Sequence, residues 1–219
     1  MMGADAWHGV AMMPDTSRQD HWNGVYTTKA EDGVSWFQSS PDASLELIGR
    51  FGGLAQPSLI DIGGGASRLV DALVGAGCRD LAVLDLSSIA LDAARKRLGA
   101  AASHVEWIVA DVTQWRPHRT YDVWHDRAAF HFLTQAADRA AYVAALHEAV
   151  SPGGHAVIAT FAPDGPERCS GLPVVRYDPQ ELARVIGPSF ELVGERRQMH
   201  TTPTGGSQSF QFSALHRIA

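Results

Sequence analysis

Ser58-Leu59-Ile60-Asp61-Ile62-Gly63-Gly64-Gly65-Ala66-Ser67 decides the fold of this chain. It reads as a short apolar strand that ends in an acid, breaks into three glycines and opens a helix. Glycines let the backbone turn sharply and approach a ligand with no Cβ in the way. The start of the helix leaves unpaired N–H groups facing that ligand. Asp61, ahead of the glycines, is the informative residue. A pyrophosphate held by glycine N–H groups and a helix N-terminus gains nothing from a carboxylate there. A nucleotide carrying a cationic amino-acid end would gain from one.

Outward from this turn the text alternates regularly. Strands are expected at Ser58–Ile62, Leu81–Asp85, Val105–Ala110, Tyr121–His125 and His155–Phe161. Helices are expected at Arg68–Val74, Ile89–Leu98 and Asp138–Val150, the last stopped by Ser151-Pro152-Gly153-Gly154. Asp178-Pro179-Gln180-Glu181 has the N-cap, Pro and Glu of a strong helix start. Phe190–His200 and Gln208–His216, separated by the Pro/Gly turn of 201–207, read as a hairpin. Ahead of the core, Ser40-Pro41-Asp42 predicts a helix with Ser40 as N-cap and Pro41 at N1. The pattern predicts an α/β fold: a doubly wound, mostly parallel seven-stranded sheet whose closing hairpin adds an antiparallel edge strand. Residues 1–20 read as a flexible leader, and 21–219 as a single domain. Within it, 21–57 form an aromatic-rich N-terminal lid with little helical period and a first helix; 58–219 form the Rossmann-like core.

A chain of 219 residues buries enough surface to need no metal or disulfide staple. Hydrophobic content of 45%, 19% charged residues and a net charge of −6 are those of a soluble globular protein with no broad attraction to nucleic acid or anionic lipid. Two cysteines make no disulfide framework, and ten histidines fall into no metal-ligand spacing. No stretch of 18 apolar residues and no secretory signal stands out. The expectation is a cytoplasmic protein, monomer or homodimer, with a small-molecule substrate and no metal, nucleic-acid or membrane partner.

Three acids fall just past the carboxyl ends of successive strands: Asp61, Asp85 and Asp111. Asp85 lies 20 residues beyond Gly65, the spacing at which an acid reaches a ribose diol, and Asp111 is placed to accept from an adenine amino group. This pattern resembles the class I S-adenosylmethionine-dependent methyltransferases over about Ser58 to His216. The resemblance implies that the Asp-x-Gly-x-Gly segment (Asp61, Gly63, Gly65) takes the amino-acid portion of S-adenosylmethionine. Asp85 with Leu86 then takes the ribose, and Asp111 with Val112 the adenine. Ser67 stands where many members have a third glycine. A nicotinamide-dinucleotide oxidoreductase is the competing reading; its fingerprint wants a glycine at Arg68.

Methyl transfer is a displacement at a sulfonium, so the chain has mainly to align a lone pair and exclude water. The run Tyr121-Asp122-Val123-Trp124-His125-Asp126-Arg127, with Asp138-Arg139 and Tyr142 after it, resembles the thiopurine and thiol methyltransferase branch. His125 is an additional residue between Trp124 and Asp126. The loop from Phe161 through Gly171-Leu172-Pro173-Val174 resembles that branch's substrate loop, and His21-Trp22…Trp36-Phe37-Gln38 its aromatic lid. Asp126, Arg127 and His125 are the catalytic candidates. Arg127 could hold an anionic substrate or lower a thiol pKa from about 8.5, with Asp126 orienting it; a structural Asp126–Arg127 pair is the plain alternative. His125 and His131 are candidate bases; either could instead be a half-buried, hydrogen-bonded residue, which is the favoured reading for His131. Trp36, and His125 from the strand tip, are candidates for contact with the cofactor. Tyr26, Trp22, Phe37, Arg127, Cys169 and Pro173 are candidates for the substrate side, and Cys78 reads as a small core residue.

The leading expectation is methyl transfer to a small soft nucleophile: a thiol, sulfide or a selenium or tellurium species. A protein lysine N-methyltransferase and a non-catalytic S-adenosylmethionine-binding protein remain as alternatives.

Overall fold

The computed structural model describes residues 15–219, so the leader reading over residues 1–14 lies outside the described residues. The chain runs α1 (Asp15–Thr28), α2 (Asp42–Gly49), β1 (Leu59–Ile62), α3 (Leu69–Gly75), β2 (Leu81–Asp85), α4 (Ser88–Leu98), β3 (Val105–Val109), β4 (Tyr121–Arg127), α5 (Ala136–Ala149), β5 (Val150–Phe161), β6 (Arg168–Cys169), β7 (Leu172–Pro173), α6 (Pro179–Ile186), β8 (Phe190–Thr201) and β9 (Ser207–Arg217). Seven strands form one sheet in the order β3-β2-β1-β4-β5-β9-β8, and β6 pairs with β7 in a separate small hairpin. The first five strands of the large sheet are parallel, and β9 is antiparallel to both β5 and β8.

The doubly wound sheet is as expected, with one refinement at its end. The strand that runs against the others, β9, is interior, and β8 is the edge. Composition explains the choice. Phe210, Phe212, Ala214 and Leu215 bury β9 in both layers, whereas β8 carries Glu191, Glu195 and Arg197 on an exposed face, charges that suit an unpaired edge.

The pleat divides the core. Ile60 and Ile62 face a layer built with Trp124, Tyr142, Leu146, Leu182 and Ile186. Leu59, one residue out of phase, faces a layer with Leu47, Leu69, Leu73, Leu91 and Val123. Successive strand residues point to opposite faces, and this alternation later decides which strand-tip groups reach the cleft. The helix start read at Asp178 is present, with Asp178 and Glu181 forming a full capping box on α6, and Ser87 caps α4 by accepting from Ala90 N at 3.2 Å.

Three local expectations are corrected. Residues 15–28, read partly as leader and partly as non-periodic lid, form the helix α1. Ser40 does not cap α2: Pro41 occupies the N-cap position without a side-chain bond, and the Ser40 hydroxyl reaches the Asp42 carboxylate instead. Strand β5 begins at Val150, because the Ser151-to-Gly154 segment enters the ladder through a register shift opposite Tyr121 and Val123 rather than standing outside it as a loop. Among the described residues, no helix is long and apolar enough to cross a membrane.

Candidate functional site

A cavity of about 290 Å³ opens at the carboxyl ends of the parallel strands, where doubly wound sheets bind ligands. One wall comes from strand tips: Gly63 after β1, Asp85 and Leu86 at β2, Asp111 and Val112 after β3. The facing wall comes from Trp22 and Tyr26 of α1, Trp36, Arg127 at the end of β4, and Cys169 and Pro173 of the β6–β7 hairpin. A smaller recess adjoins it, sharing Tyr26, Trp36, Gly63 and Arg127, and is completed by Asp61, His125, Phe37 and Ser44.

The strand-tip wall is prearranged. Asp85 accepts from Ser87 N at 2.7 Å, and the N–H groups of Gly65 and Leu86 also point to its carboxylate. Burial and the neighbouring Asp61 nevertheless push its pKa up to about 7, burial being the larger cause. Gly65 has φ +45°, and a Cβ there would come within 2.9 Å of the Asp85 carboxylate and 3.0 Å of the Tyr26 hydroxyl. It lines neither cavity; it lets Asp85 and Tyr26 close over the turn. Asp111 accepts from Thr113 N at 2.8 Å and Thr113 Oγ1 at 2.7 Å through one oxygen, while the other lies 3.4 Å from Arg18. A buried carboxylate at the second strand tip and an acid at the third, beside the apolar Leu86 and Val112, are groups that could hold an adenosine.

The facing wall is built differently. Arg127 donates from Nη1 to the Trp36 carbonyl at 2.9 Å and stacks over Phe210 at 4.3 Å. Its Nε and Nη2 are buried without a partner, and desolvation lowers its pKa to about 10. Near it, burial pushes the Cys169 thiol up to about 11, against the pull of Ser35 and Arg127. Trp22 packs edge-on against both Trp36 and Phe132 at 5.7 and 5.0 Å, giving the cavity aromatic edges.

Two catalytic candidates, Asp126 and His125, lie elsewhere than expected, whereas His131 takes the core position favoured for it. Asp126 is fully buried on the opposite face of β4. It accepts from Ala129 N at 2.8 Å, Phe130 N at 3.0 Å and the Tyr142 hydroxyl at 2.7 Å. Period-two alternation sends it to the α5 layer, so it neither pairs with Arg127 nor lines the cavity. Its work is to hold the turn in which Ala128 takes φ +74°, a strained conformation for a residue with a Cβ. His125 faces the recess rather than an acceptor, with Nδ1 2.7 Å from Asp61 Oδ1 and Nε2 2.8 Å from Ser44 Oγ. His131 is fully buried behind Phe132 and Phe161; desolvation and Arg127 hold its pKa down to about 3, so it is a neutral core imidazole. Phe37 lines the recess, not the acceptor side.

Sequence reading missed Arg18, Ser44 and Phe132, and quoted Asp138 without giving it a role in the cavity. Arg18 spans Asp111 and Asp138, the latter at 2.5 Å. Gln19 donates to Leu86 O at 3.1 Å, and Asn23 accepts from Ser87 Oγ at 2.8 Å. Arg18, Trp22 and Tyr26 share one face at i, i+4 and i+8, a helical stripe that hydrophobicity alone does not reveal because its members are charged or amphipathic.

Residues 59–154 match the family described as "Methyltransferase domain". Nodulation protein S of Rhizobium tropici is 31% identical over 80 residues, 36% of this chain, and the chain spans only 33% of that relative's length. Among solved structures, a protein from work on the conversion of a disulfide bond into a thioacetal group during echinomycin biosynthesis superposes with TM-score 0.72 at 20% identity, over 91% of this chain and 92% of that one. The 1,6-didemethyltoxoflavin-N1-methyltransferase of Burkholderia thailandensis, solved with its substrate and S-adenosylhomocysteine, gives TM-score 0.71 at 19% identity, over 96% and 93%. Residues 59–154 are thus similar to a methyltransferase domain, and the fold is shared along nearly the whole length of the chain with the solved N1-methyltransferase of Burkholderia thailandensis.

Proposed function

We propose that the protein transfers a methyl group from S-adenosylmethionine to a small, largely apolar molecule whose accepting atom is a soft anion, a thiolate being the best fit. Bound S-adenosylmethionine supplies a methyl activated on a sulfonium. The chain's part is to seat the adenosine against Asp85, Leu86, Asp111 and Val112, to hold the amino-acid end at Asp61 and Gly63, and to enclose the acceptor between Trp22, Trp36, Phe132 and Pro173. In the transfer, the acceptor's lone pair forms the new bond to the methyl carbon as the methyl–sulfonium bond breaks, leaving S-adenosylhomocysteine.

The observation that carries this reading is Arg127, a cavity guanidinium with Nε and Nη2 unpartnered. An unpaired buried cation is costly unless a ligand completes it. A thiolate or other anionic acceptor would do so, and the cation would in turn hold a thiol ionised at neutral pH. No general base is then needed, in keeping with the burial of His131 and the engagement of both His125 nitrogens. The same cation disfavours a lysine ammonium as acceptor. A planar heterocyclic nitrogen is a second reading, favoured by the aromatic edges of Trp22, Trp36 and Phe132 and by what the toxoflavin-pathway relative methylates.

The purified protein, incubated with methyl-labelled S-adenosylmethionine, is to be offered aromatic and aliphatic thiols, hydrosulfide, planar nitrogen heterocycles and lysine peptides in parallel. Label is expected in the thiol products first. Label in heterocycles alone would transfer the reading to nitrogen, label in peptides alone would overturn it, and tight S-adenosylhomocysteine binding with no label anywhere would make the protein a non-catalytic binder.

A further inference from the structure

The recess behind the glycine turn contains a hydrogen-bonded chain with a direction. Asp61 of β1 and His125 of β4 are cross-strand partners in the parallel ladder, and both point to the α2 side of the sheet. Ser44, in the first turn of α2, descends on them. His125 Nδ1 lies 2.7 Å from Asp61 Oδ1, and Nε2 lies 2.8 Å from Ser44 Oγ. Their exposures are 2%, 2% and 1% for Asp61, His125 and Ser44. An ionised carboxylate only accepts, so Nδ1 carries the proton and donates to Asp61. Nε2 meets the Ser44 hydroxyl, which can donate to a bare ring nitrogen or accept from a ring N–H.

The connectivity is that of a nucleophilic Asp–His–Ser relay, but Ser44 has no open surface to offer an acyl substrate. What the chain does offer is orientation. With Oδ1 fixed by His125, the other oxygen, Oδ2, lies against the backbone of Gly64, where a Cβ would come within 2.6 Å of it. Asp61, Gly63, Gly64 and Ser67 line the same recess, which puts the carboxylate beside the glycine turn proposed to hold the amino-acid end.

We infer that Ser44 and His125 are positioning residues for the methyl donor: together they lock the Asp61 carboxylate in the orientation that receives the donor's ammonium group. This rests on the reading of Asp61 as the ammonium's partner. It adds that a helix outside the glycine motif, α2, contributes to donor affinity through Ser44.

Two ligands separate orientation from general stability. S-adenosylhomocysteine has the amino-acid end; methylthioadenosine has the same adenosine and thioether without it. Calorimetric dissociation constants for both are to be measured on the full chain and on Asp61→Asn, His125→Leu, His125→Asn and Ser44→Ala. His125→Leu is expected to weaken S-adenosylhomocysteine about tenfold and Ser44→Ala about threefold, with methylthioadenosine within about twofold of the parent in each. His125→Asn, which keeps an N–H donor toward Asp61, is expected to recover most of the loss. If Asp61→Asn changes the ratio of the two affinities while Ser44→Ala and both His125 variants do not, the positioning role is overturned and the reading of Asp61 stands. If Asp61→Asn leaves that ratio unchanged, the reading of Asp61 falls, and the inference with it. Equal weakening of both ligands in the Ser44 and His125 variants would reduce the chain to a packing contact. Should His125→Leu fail to fold, Ser44→Ala and His125→Asn carry the same comparison.

Discussion

The two walls of the cavity are held in opposite ways. On the strand-tip wall the carboxylates are satisfied from within: Asp85 by the Ser87 N–H and Asp111 by Thr113. On the facing wall, Arg127 has one bonded nitrogen, with Nε and Nη2 buried and without a hydrogen-bond partner. A group whose partners are already in place is a fixed receptor, able to bind the same ligand in many proteins. A group left incomplete at a cost in stability is complementary to something that arrives. The first wall accordingly reads as the donor site, common to a large class, and the second as the acceptor site, particular to this chain.

The strongest test of the donor wall is Asp85→Asn. Replacing the carboxylate while keeping its shape removes a charge-assisted acceptor from the ribose, worth roughly 1.5–3 kcal/mol, so S-adenosylhomocysteine affinity is expected to fall about tenfold to a hundredfold. The parent protein should carry a pH signature of the same group. Its pKa of about 7 in the unliganded fold lies above the ordinary carboxyl value of 3.8. The stabilising effect of protonating it is therefore fully present below about pH 4 and lost as pH rises through 7. A ligand that needs the ionised form binds with the opposite slope, about tenfold more weakly at pH 6 than at pH 8. Titration calorimetry at the two pH values checks this, and the slope should disappear in Asp85→Asn. A slope that survives there would assign the titration to another group.

The facing wall makes the contrary prediction. Arg127→Met is expected to leave S-adenosylhomocysteine affinity within about twofold, to cut kcat/KM for the methyl acceptor about tenfold, and to make the protein more stable. Removing buried donors that lack partners relieves about 1–2 kcal/mol, which at this chain length raises Tm by roughly 3–6 °C. Differential scanning calorimetry and steady-state kinetics read the two halves. Arg127 also borders the recess, so a collapse of cofactor affinity instead would make it the partner of the donor's carboxylate and erase the distinction between the walls.

The contrast also explains what could be read from sequence. The donor wall consists of short contiguous signals: an acid and glycines after one strand, then single acids after the next two. Each is fixed by the strand that precedes it, so strand periodicity and spacing were enough to find it. The acceptor wall is assembled from α1, residue 36, the tip of β4, Phe132 and a two-residue hairpin, and no local pattern joins them. Arg127 and Cys169 were visible as residue types. That Arg127 would stand without partners was not, since this depends on how Phe210 and the Trp36 carbonyl approach it from distant segments. Asp126 shows the limit most clearly. One residue of strand register separates a catalytic candidate from a core acid, and the sequence carries an extra His125 at that very place. Helix α1 was hidden for another reason: its ordered face is polar, and hydrophobic periodicity has nothing to detect there.

Helix α1 is the part that touches both walls, and it yields the smallest expected effect. Arg18 bonds Asp138 and approaches Asp111, while four residues on Trp22 enters the acceptor side. Closure of the helix over the cleft is thus tied to an acid of the donor wall. The Arg18 side chain is 27% exposed, so its ion pairs are partly screened, and their loss is worth about 0.2–1 kcal/mol. Arg18→Ala is therefore expected to speed release of S-adenosylhomocysteine roughly two- to fivefold while changing its association rate little, since the adenosine contacts made on entry remain. Stopped-flow fluorescence from Trp22 and Trp36 is suited to follow it. Equal changes in both rates would mean that Arg18 shapes the open cleft rather than holding α1 down. An unchanged release rate would mean that Gln19, Asn23 and Tyr26 alone keep the helix in place.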